Sequence, residues 1–109
     1  MNQPEKKFID LPVGLIHHLK IETPYLVALL NGTKKAEARL NDRGYQAGQF
    51  VSFPVKDEEI VIFKITHVLP GNPRFGIDVE FCVLSVEFLG FASRRNKALN
   101  PKIQLPQES

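Results

Sequence analysis

Apolar and polar positions change period several times along the chain. Leu15 to Ile21 predicts a short strand, with His18, Lys20 and Glu22 on one face and Leu19 and Ile21 on the other. Thr23-Pro24 is a helix-start signal: Thr can cap, and Pro fits the first helical position, where no amide is needed. Leu26, Leu29 and Leu30 continue at helical spacing, and Asn31-Gly32 stops the helix, since glycine accepts the left-handed conformation beyond a helix end. A charged segment between Gly32 and Gly44 follows. As a strand it sets Lys35, Glu37 and Arg39 on one face over Ala36, Ala38 and Leu40, expected to face the core, before Asn41-Asp42 turns the chain.

The second half reads as strands. Gln46-Ala47-Gly48 is a turn, and Phe50 to Val55 puts Val51, Phe53 and Val55 on one face. Lys56 to Glu59 is a polar hairpin connection into Ile60 to Leu69, whose β-branched content argues against helix. Pro70-Gly71-Asn72-Pro73 is expected to break that strand. Glu80 to Phe88 is apolar on both faces, which predicts a central strand. One main short helix after the first strand, then four or five closely spaced strands, predicts a small α+β domain whose curled sheet closes partly on itself. Its expected extent is 15 to 90, after a flexible or loosely docked lead-in over 1 to 14 and before a basic, mostly disordered tail over 91 to 109.

At 109 residues and 43% hydrophobic content the chain supports one core. A single cysteine, Cys82, excludes an internal disulfide and, with no evident secretory signal, suggests the cytoplasm. No apolar run is long enough for a bilayer, so no membrane partner is expected. The net charge of +2 is small but uneven. Residues 1 to 90 hold ten Lys/Arg against eleven Asp/Glu, and residues 91 to 109 hold four against one. A polyanion would find local footholds on such a chain, not a broad basic surface.

The run Gly32-x-Lys34-x-x-Glu37-x-Arg39, after a Thr-Pro helix, resembles the signature of ASCH domains, which belong to the PUA-like group of β-barrel folds. The chain is more similar still to an uncharacterised ASCH-related bacterial and phage family, in which His-x-Leu-Lys-Ile precedes the helix and Glu-x-Arg-x-Asn-Asp-Arg follows it. Here these are His17-His18-Leu19-Lys20-Ile21 and Glu37-Ala38-Arg39-Leu40-Asn41-Asp42-Arg43, and the similarity spans roughly Ile16 to Phe88. The resemblance implies a PUA-like β pseudo-barrel with a cleft for RNA or a nucleotide-like ligand. Some ASCH-type proteins are amidohydrolases of acylated cytidine with a nucleophilic Thr where this chain has Glu37. The departure counts against that mechanism here. A second departure is Gly48-Gln49, where the family pattern commonly has Gly-Asp.

On this reading the cleft is lined by His18, Lys20, Lys34, Glu37, Arg39, Asn41 and Arg43. Lys34, Arg39 and Arg43 would hold phosphate, since Arg offers a planar fork and Lys a compact charge, while Glu37 or Asn41 reads a base edge or ribose. The competing reading pairs Glu37 with Lys35 or Arg39 on a solvated sheet face and leaves Asn41-Asp42 as a turn. A lysine–carboxylate pair drawn from Lys20, Lys34, Lys35, Glu37 and Glu80 would instead serve a small hydrolase of modified nucleosides. A charged face that meets another protein is the third alternative. The three histidines lack zinc-like spacing, His67 reads as structural, and no metal or other cofactor is expected. Ser52, Ser85 and Cys82 lie in strand-like runs without a turn to present a nucleophile. Arg94-Arg95-x-Lys97 could add salt-dependent attraction to a phosphate backbone. Few loop aromatics are available for base stacking.

Overall fold

Two long antiparallel strands carry the molecule, and the computed structural model describes residues 6–94 around them. Strand β4 (Glu59–Asn72) and strand β5 (Ile77–Ser93) pair along most of their length, joined by a single 3-10 turn at Pro73–Phe75. Strand β3 (Phe50–Lys56) pairs antiparallel with β4 through a two-residue turn in which Asp57 takes a left-handed φ of 48°. Strand β1 (Ile16–His18) lies parallel to β3, and strand β2 (Ala36–Leu40) lies antiparallel to β5. The sheet order is β1-β3-β4-β5-β2, with one helix, α1 (Thr23–Leu30), in the β1–β2 connection. The fold is α+β and mostly strand.

The sheet is not closed into a barrel, contrary to the pseudo-barrel that the family resemblance implies. Its edges are the three-residue β1 and the five-residue β2, with no backbone ladder between them. A side chain spans the gap instead: Arg39 of β2 donates to the carbonyl of Lys20, two residues beyond β1, at 2.9 Å. The sheet therefore curls until its edges lie within one arginine's reach and stops there.

The hydrophobic pattern accounts for most of the elements. Val51 and Phe53 of β3, Val61, Phe63 and Ile65 of β4, and Cys82, Leu84 and Phe91 of β5 form the main core, closed by Leu19 and by Leu29 of α1. Burial of this many large side chains is the main favourable term for the fold, at about 1.5–3 kcal/mol each. The helix starts one residue earlier than its signal implies. Glu22 occupies the cap position without a side-chain capping bond, and Thr23 is already helical. Gly32, at φ 84°, ends it as expected.

Pro70-Gly71 does not break β4, which continues through it to Asn72 with an irregularity between Pro70 and Asn72. Past Ile65, β4 pairs only with β5 and its other side is an edge, where a proline's missing donor is tolerated. Gly71 is required there, because a Cβ at that position would lie 2.0 Å from the Asp78 carbonyl oxygen.

A second cluster, Ile60, Ile62 and Ala92, lies on the reverse of the sheet and is covered by Ile9 and Leu11. This part of the lead-in is docked: Ile9 N–H donates to the Phe91 carbonyl at 2.8 Å, Phe91 N–H to the Lys7 carbonyl at 2.7 Å, and Lys6 pairs with Glu59. β5 runs on to Ser93, with Phe91 and Ala92 buried inside it. The rest of the basic tail, with Arg95 and Lys97, lies outside the described residues.

Candidate functional site

The charged strand has the alternation read from the sequence with its two faces exchanged. Glu37 is buried at 8% exposure and Arg39 is partly buried, whereas Ala38 and Leu40 face outward. Lys35, expected beside Glu37 and Arg39, is exposed. The reason is electrostatic closure. Glu37 offers one oxygen to the Lys34 ammonium at 3.2 Å and the other to the Arg39 guanidinium at 3.2 Å. Lys34 also donates to the Ala36 carbonyl and lies over the Tyr25 ring, while Arg39 reaches Lys20. Paired in this way, the carboxylate can enter the core side of the sheet, whereas an unpaired one could not. Glu37 takes Lys34, not Lys35, as its lysine partner.

Next to this network lies a group that the residue pattern did not single out. His17, buried at 6% exposure, packs edge-on against Tyr45 at 4.7 Å and bonds through Nε2 to Gln49 Oε1 at 2.8 Å. The same Gln49 oxygen accepts the Gln46 N–H at 3.0 Å and so holds the turn before β3. Gln49 is thus an organiser of this turn. Burial raises the Tyr45 phenol's pKa, with the nearby Arg39 and Arg43 charges opposing the shift. Burial likewise raises the Cys82 thiol, which fills the core opposite Arg39. Parity carried a signal for His17, since it shares its face with the core residue Leu19.

His18 faces the other way. It pairs with Ser52 and shares with it a short hydrogen bond between Nδ1 and Oγ, on the side of Ile60 and Ile62. A groove of about 140 Å³ opens there, lined by His18, Leu19, Lys20, Ser52, Pro54, Ile60 and Arg94. The imidazole's pKa is lowered by burial, then by the positive charges of Arg94, Arg43 and His17. Ser52 is 1% exposed, so its hydroxyl orients the ring and is not presented to solvent as a nucleophile.

The expected site residues therefore fall into two groups. His18 and Lys20 share the basic groove, while Lys34, Glu37 and Arg39 form the internal network, joined to the groove through the Lys20 carbonyl. Arg43 is exposed, and its charge is felt by both His18 and Tyr45. Asn41 is exposed and held by its backbone N–H on the Glu80 carbonyl at 2.8 Å. His67 is exposed on β4 and far from a structural core role. A separate cavity of about 260 Å³ lies between α1 and β5, lined by Leu29, Phe63, Val86 and Phe88 with Lys34, Lys35 and Glu87.

Fold and site together define a class: a small α+β domain with an open, curled, five-stranded sheet, latched across its edges by Arg39 of a partly buried Lys–Glu–Arg network beside a basic groove. The chain belongs to the family described as a domain of unknown function (DUF3850), which matches residues 16–86. No curated protein matches the chain. Among the described residues no helix is long and apolar enough to cross a membrane.

Proposed function

We propose that this domain is a binding module for RNA or a nucleotide-like ligand, of the ASCH and PUA-like kind that its motifs resemble, and that the phosphate sits in the His18 groove. One observation carries the reading. Lys20 and Arg94 line the groove around the His18–Ser52 pair and the charge of Arg43 also reaches His18, and among the described residues no carboxylate forms an ion pair with any of the three. Lys34 and Arg39, by contrast, are committed to Glu37. Uncompensated cations around a polar, partly enclosed groove suit a phosphate, and Arg supplies the bidentate fork. The His18 ring edge is the group in the groove available to a base or ribose, and Asn41 does not line it. In this reading Lys34, Glu37 and Arg39 bind ligand indirectly, by fixing the carbonyl end of the Lys20 segment.

The test is an amide-shift NMR titration of the full chain with short single-stranded and hairpin RNAs, then with nucleotides and acylated cytidine. Shifts concentrated at 17–20, 43, 52 and 94, lost in Lys20→Ala and Arg94→Ala variants with native spectra, support the proposal. A flat response to every ligand refutes it and leaves the protein-partner alternative. Turnover of acylated cytidine, abolished by Lys34→Ala or Glu37→Ala, would replace it with the hydrolase.

A further inference from the structure

The free edge of β2 and the face it carries remain without a role in ligand binding. Backbone bonds from this segment to β5 are made by odd-numbered residues: the Lys35 carbonyl accepts from Val86 at 3.1 Å, and Asn41 N–H donates to Glu80 at 2.8 Å. The register between them, with Glu37 opposite Leu84 and Arg39 opposite Cys82, keeps that alternation. The backbone groups of Ala36, Ala38 and Leu40 therefore point away from β5, and β2 is the last strand on that side. Lys34 caps the Ala36 carbonyl and Asp42 N–H takes the Leu40 carbonyl, but both polar groups of Ala38 lie open. The outward side chains are uncharged. Leu40 is 45% exposed beside its register partner Phe81 at 41%, with Leu69 at 37% and Val79 at 64% on the neighbouring strands.

An exposed strand edge whose outward side chains are uncharged can template another strand. We propose that its partner is a second copy of the same chain, with the two β2 strands paired antiparallel about a two-fold axis at Ala38. The five residues are self-complementary in that register alone. Glu37 faces Arg39 of the copy and Arg39 faces its Glu37, while Leu40 lies over the small Ala36. Centring the pair on Glu37 or on Arg39 puts like charges directly opposite, which is destabilising. The central pair of bonds, between the two Ala38 residues, displaces nothing. The outer pairs move Lys34 off the Ala36 carbonyl, leaving it on Glu37, and add the copy's Ala36 N–H to the Leu40 carbonyl that Asp42 N–H already holds. The two outer apolar faces then become one continuous surface across an isologous interface. No residue of β2 lines the His18 groove, and self-association is read without ligand, so association and ligand binding can fail separately.

Sedimentation velocity of the full chain without ligand, over a concentration series, tests this together with amide hydrogen exchange. A monomer–dimer equilibrium is expected, with the Ala38 and Leu40 amides gaining protection only in the dimer, while Glu37 and Arg39 are protected in both states. Ala38→Pro deletes the outward donor and spares the bonds to β5, as proline does on an edge strand. Leu40→Lys places a charge on the shared outer face. Each variant is expected to sediment as monomer, with native circular dichroism, at concentrations where the parent is dimeric. A parent that stays monomeric across the series overturns the proposal, as does a dimer that survives Leu40→Lys.

Discussion

Replacing Glu37 by Ala removes the centre of the network that lets β2 turn its charges inward. The side chains involved are unequally buried: Glu37 is 11% exposed, Arg39 22% and Lys34 29%. A fully exposed ion pair contributes about 0.2–1 kcal/mol, whereas breaking a fully buried one costs about 3–5 kcal/mol. Both cations keep enough contact with water to rehydrate, so each pair is worth about 1 kcal/mol, near the top of the exposed range. With the guanidinium left pointing at a small void, the total comes to about 2–3 kcal/mol. In a domain of this size that lowers the melting temperature by roughly 10–20 °C. Glu37→Gln keeps one acceptor and should lose about half as much. The assay is urea unfolding followed by far-UV circular dichroism, since the chain has no tryptophan. A loss below about 0.5 kcal/mol for Glu37→Ala, the range of ordinary surface changes, would refute the argument and return Glu37 to a solvated face. A double-mutant cycle between Glu37 and Arg39 should show coupling of about 1 kcal/mol.

Other outcomes follow from single features. His18 has a folded pKa below the ordinary 6.5, so between the two values the unfolded chain binds more protons. Its contribution is therefore full above 6.5 and is lost as pH falls through the folded pKa. Unfolding curves from pH 7 to 5 should show the decline, and His18→Asn should flatten it. If phosphate occupies the groove it raises that pKa, so RNA binding should tighten at lower pH and take up a proton, which calorimetry in buffers of different ionisation enthalpy detects. Lys20→Ala should weaken single-stranded RNA binding and reduce the slope of log K against log salt by about 0.7, one phosphate contact. An unchanged slope would take Lys20 out of the interface. Gly71→Ala should destabilise the β4–β5 ribbon by several kcal/mol, because the new methyl meets backbone and not a movable side chain. Native-like unfolding of that variant would show that the ribbon end can open.

Strands β3, β4 and β5 and the helix were legible because their large apolar side chains recur at the right period and their turns carry Gly, Pro or Asn. The polarity of β2 was not. Alternation in Ala-Glu-Ala-Arg-Leu marks two faces but does not say which is inside, and hydrophobicity favours the alanines and the leucine. What decides is that Glu37 can satisfy both oxygens with Lys34 and Arg39, a property of three side chains in space. His17 was hidden for a related reason. A histidine on the same parity as Leu19 belongs to the core face, yet only the Gln49 side chain across the sheet makes its burial tolerable. The groove was half legible: His18 and Lys20 stood out, while Arg94 comes from just beyond the end of β5, a proximity no local pattern carries. The strand pattern gave a sheet that closes partly on itself, and the barrel came from the family resemblance; the shortness of β1 and β2 leaves one side chain to do the joining.

The docked lead-in changes what counts as the working unit of this chain. The family match begins at residue 16 and ends at 86, yet the rear wall of the sheet is made by Ile9 and Leu11, and Phe91 and Ala92 belong to the buried interior. A fragment trimmed to the matched boundaries would leave Ile60 and Ile62 wetted on one side and remove the aromatic contacts that Phe91 makes with Phe8 and Phe88. Expression work should therefore keep residues 6 to 94 together, and aggregation of a shorter piece would report a missing wall, not an inherently insoluble domain.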